Sequence, residues 1–490
     1  MTVADFGDRL RAISTAEWTA WLRQQRWFGA KAAEPSQVRV GLLLPFEHEG
    51  HRWAVVRLDV EVAGTVRWYQ VILADDPAAT GGISTALLDE GFRRFLADAF
   101  ARGWAVERGA TRWAAVAAGH TPLIVPPDAR VELGSAEQSN TSMRVGDVAI
   151  LKLFRRIEPG AHPDVEMTEF LTTRHAFPYT PTLLGTLVLE DAGERTIAGM
   201  LQELVPGARD AWAYALERAR PWFAGGAIGA SGTGRDQDVP FAGDARRIGR
   251  ITRELHEVLA SDDDDEDFAP EAATGEEVEE WGEATRRQVE EALDLLASQL
   301  ARTDGGVPPD RIAEAKAVLA RRAHYLARIE ELVDAVGDDA GFMIRHHGDY
   351  HLGQLLHSAG DAFMIIDFEG EPSRPLAQRR RKASPLRDVA GMLRSFAYAA
   401  ATLAAESRAD PATREVTGGR WERAVRAAFL EGYLGERDAE ASDFLPEEPE
   451  SVEALVALFE MEKVFYELAY ELNNRPAWVG IPLRGIARMT

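Results

Sequence analysis

Cysteine is absent from the 490-residue sequence, which excludes disulfides, zinc-thiolate centres and thiol nucleophiles. Long apolar runs are missing too. The longest in the C-terminal half, Phe396 to Ala405, falls well short of the ~20 residues a bilayer-spanning helix needs. The N-terminal stretch carries charges throughout and no apolar core, so it does not read as a secretory signal. Basic residues are in deficit, 55 Lys and Arg against 79 Asp and Glu, for a formal charge of -24. Such a chain repels nucleic-acid phosphates and anionic lipid. What is present is 46% hydrophobic and 27% charged residues, enough for a sizeable core. The composition leads us to expect a cytoplasmic enzyme with a local basic site and no nucleic-acid or membrane partner.

Residues 1–128 read as a small α+β cap. A short helix over 16–24 carries Trp18 and Trp21, and three β-type runs follow, Val38–Phe46, Arg52–Val62 and Val66–Ala74. The third is followed by a helix over 85–102. Residues 129–207 read as a β-rich lobe ending in a hinge, and 208–490 as a mainly helical lobe. Helices are expected at 244–260, 275–300, 309–335, 386–406, 420–434 and 449–473. The glycine-rich segment 223–243 and the acidic run Asp262–Asp267 read as solvated loops.

The densest chemistry lies in His346-His347-Gly348-Asp349-Tyr350-His351-Leu352-Gly353-Gln354, followed by Met364-Ile365-Ile366-Asp367-Phe368-Glu369-Gly370-Glu371. Asp349 and Gln354 have the spacing of the Asp and Asn in a protein-kinase catalytic loop. Asp367 stands at the end of an apolar strand, where a kinase carries its second Asp. An attacking hydroxyl needs a carboxylate to take its proton, which assigns Asp349 as base. Magnesium takes oxygen ligands, and Gln354 with Asp367 supplies an amide and a carboxylate oxygen. Glutamine departs from the kinase pattern by one methylene. A lone His-Gly-Asp is an ordinary turn; the whole spacing is far more specific.

The upstream parts of a kinase are also present. Lys152 lies within the apolar strand Val148–Phe154, where a charge needs a partner. It is expected to hold nucleotide phosphates and to pair with a glutamate of the following helix, Glu166 in preference to Glu169. Ser139, Asn140, Thr141 and Ser142 precede that strand and could cradle phosphate with backbone N–H groups, although alone they read as a turn. Gln202, Glu203 and Val205 precede Pro206-Gly207, where a hinge would contact adenine. Arg374, Arg379, Arg380, Arg381, Lys382 and Arg387 form a basic cluster that could attract polyphosphate or could be solvated. Asp388 opens a helix, either as a cap or as a brace for the catalytic loop.

The runs Glu137–Ser142, Ile150–Arg156, His347–Gln354 and Asp367–Pro372, and the end Tyr466-Glu467 through Asn474-Arg475-Pro476-Ala477-Trp478, closely resemble the bacterial maltokinase family. Arg26-Trp27-Phe28-Gly29 looks like that family's N-terminal cap. The resemblance implies an aminoglycoside phosphotransferase-like, bilobal protein-kinase-like α+β fold. It implies ATP and Mg2+ as cofactors, maltose as acceptor, and maltose 1-phosphate as a product feeding α-glucan synthesis, with coupling to trehalose synthase. For the acceptor, His351, Glu369, Glu467, Tyr470, Asn474 and Trp478 are the candidates, Tyr470 and Asn474 sharing a helix face. Actinobacterial glucosamine kinases look similar through the catalytic loop; an amino-sugar acceptor would call for an extra carboxylate near the amine. A silent kinase-like binding module is the reading from another class, and Lys152, Asp349, Gln354 and Asp367 argue against it.

Overall fold

The computed structural model describes residues 2–28, 35–77, 79, 83–119, 126, 129–134, 140–224, 239–302, 306–371, 374–435 and 444–489. Most of the glycine-rich segment and Ser139 lie outside these residues. The chain divides into two compact units, Met1–Pro206 and Gly207–Thr490.

The first unit holds two antiparallel sheets. In one, the long strands Gln37–His48, His51–Val62 and Thr65–Asp75 form a meander, extended by Arg156–Ile157 and by Ile83–Thr85. Two of its turns, Glu49-Gly50 and Ala63-Gly64, have positive φ at both residues. A two-residue hairpin turn whose twist matches its strands requires this, and it explains the glycine in each second position. The helices Val3–Ala12 and Thr15–Gln24 both begin with capping boxes, Thr2 with Asp5 and Ser14 with Glu17. They bury Phe6, Leu10, Trp18 and Leu22 in a core shared with Ala54, Val56 and Leu58 of the sheet. The first of these helices was not anticipated, because its apolar face has only Phe6 and Leu10.

The second sheet has the order Ala105–Arg108, Thr111–Ala117, Leu183–Asp191, Glu194–Glu203, Ala149–Phe154, Asn140–Val145, Val131–Leu133. Two of its strands come from before residue 128, so strand pairing runs straight across the boundary expected there. The two sheets are tied by Gln70, which is 1% exposed. Its Nε2 donates to the Phe154 carbonyl at 3.1 Å and the Ala198 carbonyl at 2.9 Å, and its Oε1 accepts from Trp113 Nε1 at 3.3 Å. Its side-chain amide is thus engaged at both ends. Leucine at 70 would leave two carbonyls and an indole N–H unpaired, each costing roughly 1 kcal/mol or more. Gln70→Leu is therefore expected to lower stability by about 3 kcal/mol, read as a shifted denaturant midpoint with an unchanged slope.

The second unit is mainly helical. Its framework is Ala242–Leu259, Gly275–Ala301, Leu386–Glu406, Pro411–Leu434 and Pro449–Asn474. The helix expected over 309–335 is broken into Ile312–Ala320 and Arg322–Val336. Ala211–Ala224 and Gly480–Ala487 are additional helices. Two glycines set one crossing. A Cβ on Gly249 would lie 2.1 Å from the Phe429 carbonyl oxygen, and one on Gly432 would lie 2.1 Å from that of Arg246. The backbones of Ala242–Leu259 and Pro411–Leu434 therefore touch directly, which brings His256 and Tyr433 together beneath the catalytic loop.

Candidate active site

The loop from His346 to Gln354 is held from below. Asp388, 2% exposed, accepts from the His347 N–H at 2.7 Å and the Gly348 N–H at 2.9 Å. It also meets His256 Nε2 at 3.2 Å, and His256 Nδ1 meets the Tyr433 hydroxyl at 2.9 Å. Burial alone would raise the Asp388 pKa. The His256 hydrogen bond and the surrounding imidazoles outweigh it and hold the carboxyl well below its usual range. Of the two roles expected for Asp388, this geometry is that of the brace. Gly391 allows the same helix to pass close to the loop, since a Cβ there would lie 2.6 Å from the Tyr350 carbonyl oxygen.

The His347 ring bridges the two motifs. Its Nδ1 accepts from the Asp349 N–H at 3.4 Å and its Nε2 lies 3.0 Å from the Ile366 carbonyl. This pattern assigns the proton to Nε2. The Leu355–His357 and Phe363–Ile365 strands then pair antiparallel, Leu355 opposite Ile365. The Ile366 N–H donates to the Gln354 carbonyl at 3.0 Å, so Asp367 follows immediately beside Gln354. Asp367 has φ of +70°, a strained backbone of the kind that collects at functional sites. The two oxygen-bearing side chains assigned to magnesium thus share one end of one hairpin. An amide and a carboxylate oxygen suit a hard cation that takes its other ligands from phosphate and water.

Asp349 faces a small cavity of about 90 Å³ lined by Tyr350, Glu371, Glu462, Lys463 and Tyr466 among others. Lys463 Nζ stands 3.7 Å from Asp349 Oδ1. His351 Nε2 lies 3.9 Å from Asp349 Oδ2. Burial, aided by His347 and Lys463, lowers the His351 pKa despite the opposing pull of Asp349 and Asp367. His351 Nδ1 accepts from the Gly353 N–H at 3.0 Å, closing the short turn to Gln354. Glu371 accepts from Arg374 Nε at 2.9 Å, and its Oε1 is buried with no hydrogen-bond partner. Burial works to raise its pKa, but the Tyr466 hydroxyl, Lys463 and Arg374 bring it below the ordinary value. Lys463, Tyr466 and Glu371 were not picked out from sequence. Only the fold brings the 449–474 helix to the loop, although Glu371 stood two residues beyond the chosen Glu369.

The remaining acceptor candidates separate. Tyr470 and Trp478 are 43% and 37% exposed. Tyr470 stacks on Tyr466 with centroids 6.4 Å apart, and Arg475 lies 5.3 Å from both the Tyr470 and Trp478 rings. The exposed Asn474 uses its Nδ2 on the Tyr470 carbonyl at 2.9 Å. Glu369, half-buried, presents its carbonyl to Arg379 at 3.0 Å. Glu467 corrects the expectation: it is 8% exposed and accepts from Arg394 Nη2 at 2.7 Å, turned away as a helix-to-helix ion pair.

In the first unit, Lys152 Nζ donates to Asp164 Oδ2 at 2.9 Å. Asp164 is fully buried in the first turn of Pro163–Glu169, and Glu166, the expected partner, sits half-buried on the same turn. Asn140, Thr141 and Ser142 lie in the strand beside Lys152, with Ser142 directly opposite it. The Thr141 hydroxyl accepts from Arg155 at 2.8 Å. Gln202 is buried with its Nε2 unpartnered. Glu203 accepts from the Thr182 hydroxyl at 3.0 Å, and Val205 is half-buried just before the unit boundary. The basic cluster largely meets acid: Arg380 pairs with Asp267, Lys382 with Glu271 and Arg387 with Glu462, at 3.1, 2.7 and 2.7 Å. The acidic run and the basic cluster, both open to a solvated reading, neutralise each other in part.

His346 gives the site a pH signature. Burial first, then Arg387, His256 and Arg345, push its pKa down to about 4 against the pull of Asp388. Its folded value lies below its unfolded value, so its contribution is complete above about 6.5 and is lost as pH falls toward 4. That lost contribution amounts to up to about 3 kcal/mol. Urea midpoints should fall across this window, and His346→Gln should flatten that part of the profile.

A family model described as the maltokinase N-terminal cap domain matches residues 21–101. The glucosamine kinase of Streptacidiphilus jiangxiensis is 26% identical over 461 residues, 92% of this chain and 91% of that protein. A glucosamine kinase of Mycolicibacterium smegmatis is 27% identical over 360 residues, 71% of this chain and 76% of that one. Among solved structures, glucosamine kinase in complex with glucosamine, ADP and inorganic phosphate matches with a TM-score of 0.66 at 24% identity, covering 98% of each chain. Crystal form B of glucosamine kinase gives 0.68 at 23% identity, again over 98% of each chain. The likeness in fold extends through both units, in agreement with the α+β kinase-like architecture expected. Residues 21–101 thus match the maltokinase N-terminal cap model, and the chain over most of its length is similar in sequence to glucosamine kinases and shares their fold.

Proposed function

We propose that this protein transfers the γ-phosphoryl group of ATP to the anomeric hydroxyl of maltose, giving ADP and maltose 1-phosphate, a precursor for α-glucan synthesis. Asp349 takes the hydroxyl proton as the sugar oxygen bonds to phosphorus and the bond to the ADP oxygen breaks. Gln354 and Asp367 would hold Mg2+, which when bound would supply charge neutralisation at the phosphates. Lys152, oriented by Asp164, engages the phosphates. Gln202, Glu203 and Val205 remain the stretch proposed for adenine, and Asn140, Thr141 and Ser142 that for phosphate. Coupling to trehalose synthase belongs to the same proposal.

The observation that carries the acceptor reading is an aromatic row along the helix Pro449–Asn474 and the short turn just past it. Tyr466 lines the Asp349 cavity, Tyr470 stacks on it one helical turn further, and Trp478 continues the line through Arg475. Aromatic faces suit the C–H surface of sugar rings, and a row of three extends beyond a single ring. Lys463, 3.7 Å from Asp349, favours a neutral acceptor over an ammonium there. An amino sugar is the second reading. It is favoured by the names of the relatives and by the unpartnered Glu371 Oε1, the extra carboxylate that acceptor would call for.

The test is ADP release with ATP and Mg2+ across maltose, glucosamine, glucose and an aminoglycoside. Maltose is expected to give the highest kcat/KM by at least about tenfold. Turnover of glucosamine without maltose would overturn the acceptor and keep the kinase.

A further inference from the structure

A cavity of about 590 Å³ lies in the helical unit between the helices Leu386–Glu406, Pro411–Leu434 and Gly480–Ala487. This falls within the usual size range of small-molecule sites. It runs along the C-terminal half of Leu386–Glu406, where Ala397, Ala401 and Ala404 form one wall. At 1.5 Å per residue, those alanines stand roughly 13–24 Å along the helix from Asp388, well away from the catalytic loop.

The lining is unusual for so acidic a chain. Five arginines meet three glutamates there. Three of the arginines have carboxylate partners: Arg311 with Glu314 at 2.9 Å, Arg394 with Glu467 at 2.7 Å and Arg488 with Glu422 at 2.6 Å. Arg414 donates to the Ala409 carbonyl at 2.6 Å. Arg484 has no ion pair or hydrogen bond among the described residues, although it is half-buried. Burial first, and then crowding by Arg311, lowers its pKa from the ordinary arginine value. A cation held this way is stabilised by an arriving anion. Glycine at 485 keeps the floor open, since a Cβ there would lie 2.8 Å from Arg394 Nη1.

We propose that this cavity is a second small-molecule site, built for a sugar phosphate. Arg484, with Arg311 and Arg488 beside it, offers forked donors that match phosphate oxygens. Glu314, Glu415 and Glu422 on the same lining accept sugar hydroxyls. A free phosphate would use only the first set and leave most of the volume empty. Arg394 reaches from this lining to Glu467, whose neighbour Tyr466 faces Asp349.

The experiment is calorimetric titration of the full chain, without ATP, using glucose 1-phosphate and glucose 6-phosphate, with glucose, inorganic phosphate and malonate as further arms. A hexose phosphate is expected to bind. Arg484→Gln should weaken that binding by about tenfold or more. Ala401→Phe, which fills the cavity and leaves every charge in place, should abolish it. Asp349→Asn should leave it unchanged, which separates this site from the catalytic pocket and from the acceptor reading. Absence of hexose phosphate binding, binding that survives both cavity variants, or inorganic phosphate or malonate binding as tightly as the sugar phosphate would each overturn the proposal.

Discussion

Asp349→Asn should lower turnover roughly a thousandfold, within the ~10²–10⁴ range of a positioned general base, and leave nucleotide binding nearly intact. The asparagine keeps the backbone N–H that donates to His347 Nδ1, and the loop remains pinned by Asp388. What disappears is the acceptor for the hydroxyl proton. Single-turnover phosphoryl transfer and ADP affinity measured on the same preparation separate the two effects. Lys463, 3.7 Å away, loses its anionic neighbour, so any change in acceptor KM should be small beside the loss in kcat. A variant that turns over at the wild-type rate would remove Asp349 from the role of base.

Asp388→Ala is expected to show the largest combined loss, in stability and in activity. Alanine leaves the His347 and Gly348 N–H groups buried without their acceptor and frees His256. Each unsatisfied group costs roughly 1–3 kcal/mol, and about 4 kcal/mol in total is expected. Asp388→Asn retains one carbonyl acceptor and should lose about half as much. The pH dependence distinguishes charge from packing. The folded-state pKa of Asp388 lies below its unfolded value, so its stabilisation is in place above the ordinary carboxylate range and is lost as pH falls through the folded value. The variant should therefore lose less stability than wild type on acidification. Chemical denaturation at about pH 5 and about pH 2.5, across that window, measures the effect, and a pH-independent gap between the two proteins would count against the charge.

The motif around Asp349 was legible in sequence because its geometry is local. Gln354 and Asp367 are joined by one short hairpin, and an apolar strand between two chemical residues leaves little choice of register. Tertiary partners were less legible. Asp164 meets Lys152 from the first turn of a helix whose three acidic residues, Asp164, Glu166 and Glu169, spacing alone does not separate. Lys463 and Tyr466 reach the catalytic loop from over a hundred residues away, through the packing of Leu386–Glu406 against Pro449–Asn474. Sequence places Glu467 among the acceptor candidates because it shares a helix with Tyr470 and Asn474. A helix turns about 100° per residue, and Glu467 points instead to Arg394.

The seven-stranded sheet draws Ala105–Arg108 and Thr111–Ala117 from the cap stretch, the second of them pairing with Leu183–Asp191. A shortened chain beginning near residue 129 would strip that strand of its neighbour. Its N–H and C=O groups would then line a raw margin able to recruit strands from other molecules. Gln70 would be gone as well, leaving the Phe154 and Ala198 carbonyls without their donor. The cap therefore behaves as a selvedge of the fabric that carries Lys152, and removing it would unravel the lobe into aggregate.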